Sequence, residues 1–170
     1  MPIYAKCPNF INADLIAQGL APFSPEQMSL KAGKLVLQQI REFADRGPNF
    51  GFETTLSGMT YLNYFKTLKE KGYQLNLFFL WIPEPQLAIA RIKDRASSGG
   101  HGVPVKDIKR RFSRSIDNFF NLYLPLLDTW LLFDNSRKKP EPIAKKDNLH
   151  IDIRNHLLFG KIIDKAGVNL

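Results

Sequence analysis

Short, almost continuous apolar runs alternate along the chain with longer stretches whose apolar residues recur at helical spacing. Residues 10–14 (FINAD) are apolar and close on a carboxylate, which predicts a buried strand delivering Asp14 to its C-terminal end. Ser24, Pro25 and Gln27 make an S-x-x-Q capping box with proline in the first turn. Met28, Ala32, Leu35, Val36, Ile40, Phe43 and Ala44 follow at helical spacing until Gly47 and Pro48 stop the helix. Residues 50–54 (FGFET) predict a second strand. A helix capped by Ser57 comes next, with Tyr61, Leu62, Phe65 and Leu68 on its apolar face and Gly72 at its end. Residues 75–82 (LNLFFLWI) form the strongest strand signal, and their unbroken apolarity predicts burial on both faces. Beyond Pro83 and Pro85 a helix is expected over 86–95, then a break at Ser97-Ser98-Gly99-Gly100, then a long helix from Pro104 to about 122. Residues 130–133 (WLLF) predict a buried strand, 135–146 a basic loop with two prolines, 149–153 an edge strand and 155–165 a last helix. Strand and helix alternate throughout, the pattern of a layered α/β fold around a mostly parallel sheet.

A length of 170 residues suits one domain, and an apolar content of 44% is enough to build a core. No apolar run approaches the ~20 residues of a membrane helix, and the first ten residues lack a secretory layout. The single cysteine, Cys7, excludes an intrachain disulfide and a thiolate metal cluster, and points to a reducing, cytoplasmic setting. The net charge of +8 is uneven. Between Arg91 and Arg114 eight Lys or Arg stand against Asp94 and Asp107, a density that calls for an anionic partner such as nucleotide phosphates, nucleic acid or acidic lipid.

Three predicted strands end in polar residues: Asp14, then Glu53-Thr54-Thr55, then Asp134-Asn135. In an open parallel sheet ligands bind beyond the carboxyl ends of the strands, so these groups gather on one edge. Asp14 can accept a proton from a substrate hydroxyl and Glu53 can orient the substrate, whereas Asp134 reads as a turn cap. The glycine break and the arginine-rich helix after it form a lid region over 91–122. Arg95, Arg110, Arg111 and Arg114 offer planar donors for phosphate oxygens there, with Arg91 one helical turn before Arg95. About half of these arginines are expected to serve only surface ion pairs. His101 sits inside the glycine loop as a candidate ligand contact. His150 and His156 lack a third ligand at metal-site spacing. The aromatics occupy core positions and do not form a base-stacking platform.

A phosphate loop is absent from these 170 residues: G-x-x-x-x-G-K-[ST] does not occur, and its nearest fragment, Ala32-Gly33-Lys34-Leu35, lies inside a helical pattern.

The run FINADLIAQGLAPFSPE, then FGFETTLSG, then LNLFFLWIPEPQLAIARIKDRASSGGHGVP, then RRFSRS and DTWLLFDNS, resembles the chromosomal branch of the zeta-toxin-like P-loop kinases from about Cys7 to Ser136. The resemblance implies a three-layer, nucleotide-kinase-like fold in a single domain over 1–170. It implies transfer of the γ-phosphate of ATP or GTP, with Mg²⁺, to a hydroxyl of a small acceptor. Characterised toxins of the family act on UDP-N-acetylamino sugars. By motif, Asp14 looks like the general base of the strand-end N-x-D that begins at Asn12. Glu53, Thr54 and Thr55 look like acceptor-side contacts. Arg91 or Arg95, with His101 and the arginines of the following helix, look like the part that holds the nucleotide phosphates. An antitoxin protein is a possible partner.

Relatives place an apolar strand and the phosphate loop ahead of the segment matched by FINAD, so the resemblance implies an N-terminally truncated member, such as a gene fragment or a start set too far downstream. Without the loop's backbone donors, turnover by these residues alone is expected to vanish, since one such donor is worth ~10²–10³ in rate. Two other functions compete. One is a basic nucleic-acid-binding module using 91–114, which ranks lower because no reading motif is present. The other is a non-catalytic remnant that binds a partner through open strand edges. Nucleic-acid affinity that falls steeply with salt would favour the module. A strand missing from the sheet predicts a marginal or aggregation-prone chain, and a cooperative, high-temperature melt followed by circular dichroism would overturn that expectation.

Overall fold

The computed structural model describes residues 7–97, 102–147 and 150–167. They divide into two compact groups. The first holds Cys7 to Thr54, Arg95 to Ser97, and Gly102; the second holds the remainder. Among the described residues no helix is long and apolar enough to cross a membrane.

The first group is built on a parallel pair, β1 (Phe10–Ile11) and β2 (Gly51–Phe52), with Phe10 opposite Gly51 and Ile11 opposite Phe52. Gly51 N–H donates to Asn9 O at 2.9 Å and Glu53 N–H to Ile11 O at 3.4 Å. Glycine at 51 leaves room for its neighbour: a Cβ there would stand 3.2 Å from the Phe10 ring, which would have to shift by a few tenths of an ångström. Between the strands run α1 (Ala13–Leu20), a 3₁₀ turn (Pro25–Met28) and α2 (Ser29–Arg46). Helix α2 buries Ala32, Val36 and Ile40, a single stripe at four-residue spacing. It ends at Gly47, whose φ of +83° lets its N–H return to Phe43 O at 2.9 Å. The rings of Phe43, Phe50 and Phe52 follow one another at centroid distances of 5.6 and 6.4 Å. The capping box expected at Ser24 is not used. Ser24 precedes the 3₁₀ turn without a side-chain cap bond, and the α-helix starts four residues later than the box implied.

The second group carries α3 (Thr60–Glu70), β3 (Asn76–Trp81), α5 (Val105–Asn118), β4 (Thr129–Asp134), β5 (Glu141–Asp147), β6 (His150–Ile153) and α6 (His156–Ala166). Helix α4 (Pro85–Ser97) contributes residues to both groups. The sheet order is β3-β4-β5-β6, with β3 and β4 parallel and the last two pairings antiparallel. Its centre is β4, where Trp130 and Leu132 are fully buried with Phe119, Tyr123, Ile143 and Ile162. Phe119 stacks on Phe79 at 4.6 Å and meets Trp130 edge-on at 6.1 Å.

Three expectations are corrected here. Residues 141–147 form a strand where their basic, proline-containing sequence read as a loop, because Ile143 and Ala144 are buried and the backbone pairs with β4. Pro142 is accommodated at the register shift between Leu132 and Phe133, where the ladder is irregular. Strand β3 is not buried on both faces: Trp81 is, but Leu80 is 47% exposed. Ser57 does not cap α3, which starts at Thr60 behind Met59.

Asp128 ties the start of β4 to α3 and β3. Lys69 Nζ donates to its Oδ1 at 2.6 Å and Leu75 N–H to its Oδ2 at 2.7 Å. The lysine contact, ahead of the backbone bond, holds this carboxyl below the ordinary aspartate value of 3.8 although burial opposes the shift. A depressed carboxylate stabilises the fold above the unfolded value, and that contribution disappears as pH falls through the folded value. Urea denaturation should therefore show stability falling below about pH 4, with about 1 kcal/mol or less due to this partly exposed pair. Asp128→Asn should flatten that part of the acid limb; an unchanged pH profile would exclude the pair as its source.

Candidate functional site

Parallel pairing puts the carboxyl ends of β1 and β2 on one rim, so the residues that follow them, Asn12 and Glu53, are neighbours. Asn12 caps α1, its Oδ1 accepting from Leu15 N–H at 3.0 Å. Its Nδ2 donates to Glu53 Oε2 at 3.0 Å. One amide thus closes a helix N-terminus and orients a carboxylate. Asp14 lies not at the strand end but in the first turn of α1, where a carboxylate also suits the helix dipole. Arg95 of α4 reaches it, with Nη1 3.5 Å from Asp14 Oδ2. Both side chains are about half exposed, so the pair is accessible and worth little as a strut. Asn12, Asp14, Glu53 and Arg95 form a polar rim with two carboxylates, an amide and a guanidinium; Thr54 follows Glu53 directly.

Separately, α5 buries Ile108 and Ile116 on one side and exposes Lys106, Lys109, Arg110, Arg111 and Arg114 elsewhere. Arg110 Nη2 lies 2.8 Å from Asp107 Oδ1, and this bond holds the Asp107 carboxyl below its usual range. Arg91 is turned to backbone: its Nη2 donates to Ser136 O at 3.3 Å and to Arg137 O at 3.5 Å. Asp134 accepts from Ser136 N–H at 2.8 Å, the turn-capping role its sequence position suggested. His101, Gly99 and Gly100 lie outside the described residues. Among the described residues no group of three or more His, Cys, Asp or Glu is placed to hold a metal ion.

The family model for zeta toxin matches residues 20–136. The chain belongs to the zeta toxin family. An uncharacterized protein of Haemophilus influenzae (strain ATCC 51907 / DSM 11121 / KW20 / Rd) is 31% identical over 102 residues, which cover 60% of this chain and 73% of that relative. Among solved structures, a crystal structure of AvrRxo1-ORF1:AvrRxo1-ORF2 with sulphate ions matches with a TM-score of 0.74 and 17% identity, over 89% of this chain. This chain spans about half of that molecule, 52% of its length. A structure from the PezAT chromosomal toxin-antitoxin system of Streptococcus pneumoniae matches with a TM-score of 0.55 and 13% identity, over 93% of this chain and 74% of the other. The fold class expected from the sequence, α/β and P-loop-kinase-like, is therefore that of the zeta toxin family.

Asn118, Tyr123 and Leu56 carry no mark in the amino-acid sequence of the contacts they make. Asn118 Nδ2 donates to Leu56 O at 2.6 Å, Tyr123 Oη to Gly58 O at 2.8 Å, and Leu56 has a φ of +52°. Thr55 Oγ1 and Ser57 Oγ in the same loop are 2.8 Å apart. No spacing rule links residues more than 60 positions apart, and a leucine carries no sequence mark of a left-handed backbone.

The dual role of Asn12 is open to measurement by urea denaturation. Asn12→Ala should cost about 1 kcal/mol through the lost cap. Glu53→Gln keeps an oxygen for the Asn12 amide and should change stability by less than about 0.5 kcal/mol. A larger loss from Glu53→Gln than from Asn12→Ala would contradict this division of labour.

Proposed function

We propose that this chain carries the acceptor side and the arginine-bearing side of a zeta-toxin-like kinase, which transfers a γ-phosphoryl group to a hydroxyl of a small acceptor, a nucleotide sugar being one candidate. The observation that supports this is the meeting of Asn12, Asp14, Glu53 and Arg95, with the Arg95 guanidinium 3.5 Å from the Asp14 carboxylate. ATP or GTP with Mg²⁺ would supply the phosphoryl group. The residues present fit a polyphosphate in part. Arg111 and Arg114 are exposed on α5, and Arg95 and Arg110 each meet a partly exposed carboxylate that a phosphate can replace. Mg²⁺ is bound largely through substrate phosphates in such enzymes and needs few protein ligands.

The division of labour follows from the donors and acceptors on the rim. Asn12 and Glu53 orient the acceptor, whose reacting oxygen is directed to Asp14, and Thr54 and Thr55, next in sequence after Glu53, offer hydroxyls to it. Asp14 takes the hydroxyl proton as that oxygen attacks phosphorus. Arg95 fixes the carboxylate of Asp14 beforehand and is released to the transferring group. Arg110, Arg111 and Arg114 supply positive charge for phosphate oxygens, and His101 remains a candidate contact of the same kind. Arg91, bonded to carbonyls, steadies the turn after β4. Both solved neighbours come from two-protein systems, one of them named toxin-antitoxin, which supports an antitoxin as a protein partner. The competing nucleic-acid module would use 91–114 instead of this rim, and no nucleic-acid reading motif accompanies that segment.

Calorimetry with a UDP-N-acetylamino sugar tests the acceptor half. Binding should be lost in Glu53→Ala and kept in Asp14→Asn. In a form of the protein that includes a G-x-x-x-x-G-K-[ST] loop, Asp14→Asn should lower turnover ~10²–10⁴-fold while nucleotide affinity stays within about twofold. Retained turnover in that variant would remove Asp14 from the mechanism.

A further inference from the structure

Two backbone irregularities of the second group are bonded to each other. The first is Leu56, buried at 3% exposure with a φ of +52°. A bulky L-residue rarely adopts that conformation, and it persists only where its surroundings over-determine it. The second is a π-helical turn, Phe119–Tyr123, at the end of α5, closed by Leu124 N–H bonding back to Phe119 O. Such turns are rare and concentrate at functional sites.

The bonds between them come from both ends of the π turn. Asn118, immediately before it, donates to Leu56 O at 2.6 Å, and Tyr123, its last residue, donates to Gly58 O at 2.8 Å. At 3.6 residues per turn, positions five apart on an α-helix point about 140° away from each other. A turn closed by an i→i+5 bond brings them to the same side. The π turn is thus what lets Asn118 and Tyr123 face one loop together. Phe119, Phe120 and Tyr123 are themselves buried, so the donors stand on a packed base. Burial, and secondarily Tyr61, raises the Tyr123 hydroxyl above its ordinary value. Between the two clamped carbonyls lies Ser57, whose hydroxyl pairs with that of Thr55 at 2.8 Å.

We propose that Asn118 and Tyr123 are positioning residues which hold the 55–58 loop in its strained shape, so that the Thr55–Ser57 hydroxyl pair is presented to a hydroxyl-rich phosphoryl acceptor. The acceptor part rests on the kinase function proposed above; the clamp does not. Neither residue touches the acceptor. They act through two carbonyls, and they belong to the helix that bears Arg110, Arg111 and Arg114, so the loop and the arginines share one rigid support.

The test uses Tyr123→Phe, which removes one hydroxyl and keeps the ring, and Asn118→Ala. Phe120→Leu serves as a control that loosens the same base without touching either carbonyl. The backbone carbon shifts of Leu56, read by NMR, report the sign of its φ. Calorimetry with a UDP-N-acetylamino sugar reports the hydroxyl pair. Each donor variant should move the Leu56 shifts toward an ordinary negative φ and weaken the probe about 5- to 10-fold, the worth of one hydrogen bond. The control should lower Tm while leaving both readouts in place. Unmoved Leu56 shifts in both donor variants overturn the clamp, and equal changes in the control reduce it to general packing. Moved shifts with unchanged binding overturn the link to the acceptor. If the unaltered chain does not bind the probe, the acceptor function falls, and the Leu56 shifts still decide whether the two donors hold the loop.

Discussion

The parallel register of β1 and β2 is the constraint on which the polar rim depends. Two residues in each strand suffice to set it, because Gly51 lets the Phe10 ring lie over its backbone and Glu53 N–H completes the ladder on Ile11 O. Antiparallel pairing would send Asn12 and Glu53 to opposite ends, and the amide–carboxylate bond between them would not form. From that bond the remainder of the rim follows: Asn12 starts α1, α1 fixes Asp14 in its first turn, and Arg95 finds Asp14. A rim assembled this way is preorganised by backbone, and the Asp14 and Arg95 side chains on it stay about half exposed.

The second group solves a different problem. Its core is an aromatic cluster of Trp130 on β4 with Phe119, and the π turn that contributes Phe119 and Tyr123 to that core also aims Asn118 and Tyr123 at the 55–58 loop. Stability and loop geometry therefore share the same few residues. Substitutions in this stack are expected to act on both at once, which is why the conservative removal of one hydroxyl is more informative than any large-to-small change.

Much of this was legible in the chain. Helix α2 announces itself by a stripe at four-residue spacing and a glycine stop, β4 by an unbroken apolar run, and the turn at Asp134 by its side chain. The choice of Asn12, Asp14, Glu53 and Arg95 also came from sequence, through the rule that ligands gather beyond strand ends and through family likeness. What misled was local composition. Prolines and lysines in 141–147 disguised a strand whose place is set by pairing with β4, and the capping signals at Ser24 and Ser57 lost to other backbone arrangements. The apolarity of 75–82 promised two covered faces where one stays partly open.

Sequence alone determined the alternation of strands and helices apart from β5, the basic character of 91–114 and which acids and amides follow β1 and β2, because these depend on residue type and short spacing. Tertiary structure alone decided which arginines are committed. Arg91 is turned to carbonyls, Arg95 to Asp14 and Arg110 to Asp107, since a guanidinium bonds whatever acceptor the fold brings within reach. It also decided that Leu56 takes a left-handed backbone, a conformation no leucine selects for itself and which here coincides with two donors arriving from more than sixty residues away.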